Sequence, residues 1–175
     1  MIEIEIKARV DAGALRRRLG QEGATLERRV EQTDLYFNAP HRDFARTDEA
    51  LRLRKEEGRV FLTYKGKKLD AKSKTRKEVE VEVADFRRME DILLSLGFTR
   101  SLRVHKTREI YHFGDAVACL DMVDGLGEFV ELEALASDTK DIEERRDWLI
   151  GEMRRLGVEG ELIRESYLEM LLAKK

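Results

Sequence analysis

Apolar and polar residues alternate with a period of two along much of this chain. The segments 1–10, 51–55, 60–65, 77–83, 104–113, 117–123 and 129–134 all follow that rhythm. In an extended strand, residues i and i+2 share a face, so each segment predicts a strand with one apolar and one polar side. The stretch 25–37 is less regular but holds the β-formers Leu35, Tyr36 and Phe37. A helical period takes over elsewhere. Residues 11–23 start on the N-cap candidate Asp11, carry Leu15 and Leu19, and stop at Gly23. Residues 85–97 put Phe86, Met89, Leu93 and Leu96 between Asp85 and Gly97. Residues 139–157 carry Ile142, Trp148, Leu149, Met153 and Leu156, and 165–174 hold Tyr167, Leu168 and Leu171. Pro40, the only proline, marks a loop at 38–41. Turns as tight as Glu57-Gly58 favour antiparallel pairing. The expected fold is α+β: an antiparallel β-barrel of about eight strands with flanking helices.

Composition narrows this picture. At 175 residues, the chain has the size of one domain, taken as 1–175. Hydrophobic residues make up 42% and charged residues 40%, with a net charge of -2, so no global field draws nucleic acid. Cys119 is the single cysteine, which excludes an internal disulfide and fits a reducing compartment. There is no apolar run of the roughly 20 residues that a membrane helix needs, and residues 1–10 show no basic and apolar leader pattern, so no signal peptide is expected. The expectation is a soluble, cytoplasmic protein.

The polar faces are sorted by sign. Glu3 and Glu5 share a face opposite Ile4 and Ile6, and Glu78, Glu80 and Glu82 alternate with valines. Glu131 and Glu133 stand opposite Val130 and Leu132. Other strands are basic: Arg52 with Arg54, Lys106 with Arg108, and Lys65 on the face of Thr63. A charged face turned to water accounts for the alternation alone. It accounts less well for the sorting, because like charges at close cross-strand spacing repel. Blocks of acid and base around one cavity would suit a ligand of both signs. A metal–triphosphate complex is such a ligand: carboxylates take hard cations, and Arg and Lys take phosphate oxygens. No glycine-rich phosphate loop is present, so side chains would have to hold the phosphates.

The opening Glu3-Ile4-Glu5-Ile6-Lys7 resembles the Glu-x-Glu-x-Lys signature of the CYTH superfamily, the triphosphate tunnel metalloenzymes. Companions follow in order: Leu51 to Arg54, Thr63 to Lys65, Arg76 to Glu80, Lys106 to Arg108, Leu120-Asp121, Val130 to Glu133, and Glu165 to Tyr167. The stretch Gln32 to Phe37 is most similar to the class IV adenylyl cyclase-like branch. The resemblance implies a tunnel through an eight-stranded barrel with the triphosphate inside. It implies Glu3, Glu5 and Glu133 as ligands of the main Mg²⁺ or Mn²⁺, and Glu131 and Asp121 as ligands or supports for a second ion. Lys7, Arg52, Arg54, Lys65, Lys106 and Arg108 would bind substrate, with Glu78 and Glu80 supporting. Tyr36 matches a tyrosine that pairs with a lysine at the position of Lys106, an arrangement implied to activate water.

The implied reaction is conversion of ATP to cyclic AMP and pyrophosphate. The alternatives are a triphosphatase acting on thiamine triphosphate, tripolyphosphate or nucleotides, and a non-catalytic polyphosphate or nucleotide sensor. A nucleic-acid binder using the basic loop 66–77 is a further reading, against which stands a lid at the tunnel mouth. The resemblance also implies a homodimer. His41, His105 and His112 lack metal-site spacing.

Overall fold

The isoleucines of the first strand explain which way the sheet faces. Ile4 and Ile6 are buried, and they pack with Leu15, Leu19, Leu149 and Met153 from two helices. The apolar side of the strand therefore looks outward under helices, and its glutamates look inward. The computed structural model describes residues 2–69, 76–136 and 141–174. Its strands are β1 (Ile2–Arg9), β2 (Thr25–Asn38), β3 (Ala50–Glu56), β4 (Arg59–Lys68), β5 (Arg76–Val83), β6 (Thr99–Phe113), β7 (Ala116–Val123) and β8 (Gly127–Ala136). They close a barrel in the order β1-β5-β4-β3-β2-β6-β7-β8, and every neighbouring pair is antiparallel.

Three apolar layers wrap the barrel. Helices α1 (Ala12–Gln21) and α4 (Ile142–Arg155) cover β1, β7 and β8. Helix α3 (Phe86–Ser95) supplies Leu93 over Leu35, Leu51 and Leu53. Helix α5 (Tyr167–Leu172) lies with Val104, Val123 and Phe129. Among the described residues the outer face of β5 carries no helix, and Val79 and Val81 stay 56% and 55% exposed. The caps expected at Asp11 and Asp85 are formed: Asp11 accepts from the Ala14 amide at 2.7 Å and Asp85 from that of Arg88 at 2.8 Å. Glu57 and Gly58 both take positive φ, 48° and 81°, as a two-residue hairpin turn of the twisted kind demands.

The eight-stranded antiparallel barrel with flanking helices matches the expected fold. Several elements differ in extent: β4 runs on to Lys68, β8 spans Gly127–Ala136, and α5 is confined to Tyr167–Leu172. A short helix α2 (Phe44–Thr47) follows the Pro40 loop, where periodicity predicted nothing. It is too short for a period; side chains make it, with Asp43 capping Ala45 and Asn38 accepting from the Phe44 amide at 2.8 Å. β6 begins at Thr99, ahead of the alternation that starts at 104. Thr139 and Lys140, placed by sequence in the helix 139–157, and 70–75 of the basic loop lie outside the described residues.

Candidate active site

The inward faces enclose a cavity of about 320 Å³. Every strand except β7 contributes charge or a phenol to its lining, among them Glu5, Tyr36, Arg52, Lys65, Glu78, Lys106 and Glu131. Strand register explains the grouping. Asp34 faces Arg54, Tyr36 faces Arg52, and Arg52 in turn faces Thr63. Lys65 faces Glu78, Arg108 faces Asp121, and Glu5 faces Glu133.

The cationic side is held by neighbouring acids. Arg54 grips Asp34 through two hydrogen bonds of 2.7 and 2.8 Å. Arg52 donates to Thr63 at 3.1 Å and lies 3.8 Å from Asp34. Burial alone would raise the Asp34 pKa, but the Arg54 and Arg52 charges hold it well below the usual carboxylate range. Lys65 donates to Glu78 at 2.6 Å, and Lys106 donates to Asp121 at 2.7 Å. Burial, then the nearby Arg52, lowers the pKa of Lys65; burial, then Arg108, lowers that of Lys106. The Arg52 Nε is buried with no acceptor among the described residues. An unsatisfied buried donor in a cavity wall is what an anionic ligand would complete.

The acidic side is more strained. Glu5, Glu131 and Glu133 bring one carboxylate oxygen each within 4.8 Å of the others. Arg108 reaches Glu131 and lies 3.4 Å from Glu133. Burial, reinforced by Glu3, Glu5 and Glu131 and only partly offset by Arg108, pushes the Glu133 pKa up to about 8. Glu3 is also raised, by burial and then by Glu78. Three clustered oxygen ligands with one held protonated near neutrality are the electrostatics of a site that favours a hard divalent cation. Glu3 lines the cavity but stands outside the three-carboxylate group.

Three further predicted residues have the following surroundings. Asp121 is fully buried behind the lining, and its oxygens accept from Arg108, Lys106 and the Tyr167 hydroxyl. Lys7 is also fully buried off the lining; it donates to the Glu165 carbonyl and lies 3.9 Å from Glu131. Tyr36 lines the cavity, and the ring of Tyr167 lies 5.0 Å from the Lys106 ammonium. Around the barrel the lining carboxylates gather on β8, β1 and β5 and the cations on β4, β3 and β6, with Asp34 and Asp121 set among the cations and Lys7 and Arg76 among the acids. Isolated strands of one sign become ion pairs once their neighbours are placed.

Asp34 and Tyr167 were not read as site residues. Asp34 shares the face of Gln32 and Tyr36, and a lone acid two residues before a candidate tyrosine is the signal that was available. Tyr167 opens an apolar helix and looks like packing until the coordinates put its hydroxyl on Asp121. His105 and His112 pair with Asp124 and Glu27 at 3.0 Å on the surface, away from the cavity.

Comparison with known proteins adds the family. Residues 1–167 match the CYTH domain. The chain belongs to the CYTH family. This CYTH protein is 41% identical to a candidate adenylate cyclase, MJ0240 of Methanocaldococcus jannaschii, over 97% of this chain and 98% of that one. It is 41% identical to PH1819 of Pyrococcus horikoshii, whose structure matches with a TM-score of 0.93 over 99% of both chains. A candidate adenylyl cyclase from Hippeastrum, described as having a dominant triphosphatase activity, shares the fold at a TM-score of 0.71 and 18% identity, covering 99% of this chain and 96% of that one. No helix among the described residues is long and apolar enough to cross a membrane.

Proposed function

We propose that this CYTH protein is a divalent-cation-dependent enzyme acting on a triphosphate held inside the barrel, and that its reaction is the class IV adenylyl cyclase conversion of ATP to cyclic AMP and pyrophosphate. One observation carries the reading. Cations on β3, β4 and β6 and the carboxylates Glu5, Glu131 and Glu133 line the same cavity. The 41% identical Methanocaldococcus relative, with its cyclase name, supports the choice of reaction. Beyond the cations the same cavity is lined by Phe44, Ala45, Ser101, Leu168 and Leu172, with Asp43, Asp48, Glu49 and Glu169 beside them, a mixed wall with apolar surface and acceptors for an organic group on the polyphosphate.

In this reading Arg52, Arg54, Lys65, Lys106 and Arg108 hold the phosphate oxygens in register, and Glu78 and Asp34 keep Lys65 and Arg54 aimed. Glu5, Glu131 and Glu133 would hold Mg²⁺ or Mn²⁺, which when bound neutralises charge on the phosphate oxygens. The ribose 3′-hydroxyl oxygen then forms a bond to the α-phosphorus as the bond to pyrophosphate breaks and the hydroxyl proton is released to solvent. Positioning and charge stabilisation are the protein's share of such a reaction. Hydrolysis of a phosphoanhydride is the second reading, favoured by the activity described for the Hippeastrum protein.

The test is incubation of the purified protein with ATP, thiamine triphosphate and tripolyphosphate, each with Mg²⁺ or Mn²⁺, followed by separation of products. Cyclic AMP with equimolar pyrophosphate is expected. Phosphate release from all three substrates would replace cyclisation by hydrolysis. Metal-dependent binding with no product would sink the enzymatic reading and leave a sensor. Glu5→Gln is expected to remove turnover while the melting transition stays cooperative; an active variant would remove Glu5 from the metal site.

A further inference from the structure

Helix α5 and the segment before it are built into the cavity wall. The Ile163 amide donates to the Lys7 carbonyl at 2.7 Å, and the Lys7 ammonium donates to the Glu165 carbonyl. Ser166 then caps α5 in a reciprocal capping box with Glu169. The next residue, Tyr167, is 7% exposed and enters a cluster of buried charges. Its hydroxyl donates to Asp121 Oδ2 at 2.9 Å. The same oxygen accepts from Lys106 at 2.7 Å and from Arg108 at 2.6 Å. Its ring lies 4.2 Å from the Lys7 ammonium and 5.0 Å from that of Lys106. Phe129 packs against it at 5.1 Å between centroids.

Each contact has a consequence for Lys106. An aromatic face attracts cations, so the ring gives two like-charged ammoniums a shared seat that neither could take beside the other in bare contact. An ammonium has three donors. One goes to Asp121, and the ring occupies another side, which leaves the remaining direction for the cavity that Lys106 lines. The phenol also ties down the carboxylate that sets the guanidinium plane of Arg108. A tyrosine that served packing alone would need neither the hydroxyl bond nor the two cations.

We propose that Tyr167 is a positioning residue of the polyphosphate site, which aims Lys106 directly and Arg108 through Asp121. The proposal rests on the reading of the cavity as a triphosphate site. It makes the C-terminal helix part of the substrate machinery, although no side chain of α5 needs to carry charge to do it.

The experiment compares wild-type protein with Tyr167→Phe and Tyr167→Leu. Tripolyphosphate binding in the presence of Mg²⁺ is measured by calorimetry, and KM and kcat are measured with whichever substrate is turned over. Tyr167→Phe keeps the ring and removes a hydrogen bond to a charged group, so Kd and KM are expected to rise about tenfold, with kcat within about twofold. Tyr167→Leu removes the cation seat as well and is expected to weaken binding further. Mn²⁺ binding to the protein alone should not change in either. A purely structural role would lower the active fraction, so that kcat falls and KM stays. That pattern, or a Phe variant with Kd within twofold of wild type, overturns the proposal. If the Leu variant fails to fold, the Phe variant decides. Wild-type protein that binds no tripolyphosphate would overturn the triphosphate reading itself; binding that is indifferent to Tyr167→Phe overturns only this step.

Discussion

Asp34 and Glu133 show how one barrel pushes two carboxylates in opposite directions. Asp34 lies against two guanidiniums, and its folded pKa is depressed. Its contribution is present above the unfolded value, about 3.9, and is lost as pH falls through the folded one. Glu133 is raised to about 8 among other carboxylates. Its contribution is full below the unfolded value and is lost as pH rises through about 8. The metal-free protein is therefore expected to lose melting temperature between about pH 5 and 8, and Glu133→Gln is expected to flatten that slope. A slope that survives in the variant would assign the titration elsewhere. Arg54→Ala removes both hydrogen bonds to the 2%-exposed Asp34, leaves Arg52 at 3.8 Å as its remaining partner, and should cost about 2–3 kcal/mol of stability as well as raise KM at least about tenfold. Denaturant titration and steady-state kinetics measure both, and an unchanged KM would remove Arg54 from the phosphate contacts. Most of these charged positions were readable, because alternation fixes which side chains share a face. Their partners were not. Whether Asp121 meets a cation of the substrate complex or the protein's own Lys106 and Arg108 depends on which strands lie side by side, and period-two patterning is silent on that.

The helices were the more legible elements wherever a cap and a stop bracketed an apolar stripe, as in 11–23 and 85–97. α2 was illegible because four residues carry no period; local side-chain hydrogen bonds from Asn38 and Asp43 make it. Helices α1, α3 and α4 do not line the cavity, which separates their stability from activity. Asp85→Ala removes the cap of α3 and is expected to cost about 1 kcal/mol, or roughly 2–4 °C of melting temperature. KM should not move. A shifted KM would mean that α3 reaches the site through Leu51 and Leu53, which flank Arg52.

At the scale of the whole molecule, opposite charges at close range stabilise the ligand-free barrel only in part, since Glu133 must stay protonated near neutrality. Cation and polyphosphate together should therefore stabilise it more than the sum of each alone. At about a hundredfold excess over Kd the linked gain is about 2.7 kcal/mol. Thermal melts with Mg²⁺, with tripolyphosphate, with both, and with both plus chelator check this; strictly additive shifts would mean that the two ligands do not share a cavity. A last consequence comes from where the cylinder closes. Among the described residues β1 and β5 meet at one register position, Glu3 opposite Arg76, while β1 and β8 match along their whole length. From Lys77 onward β5 leans on β4 alone, with bare valines on its back. Deuterium should enter the amides of β5 well before those of β7 or β8, as at the unsewn hem of an otherwise finished sleeve.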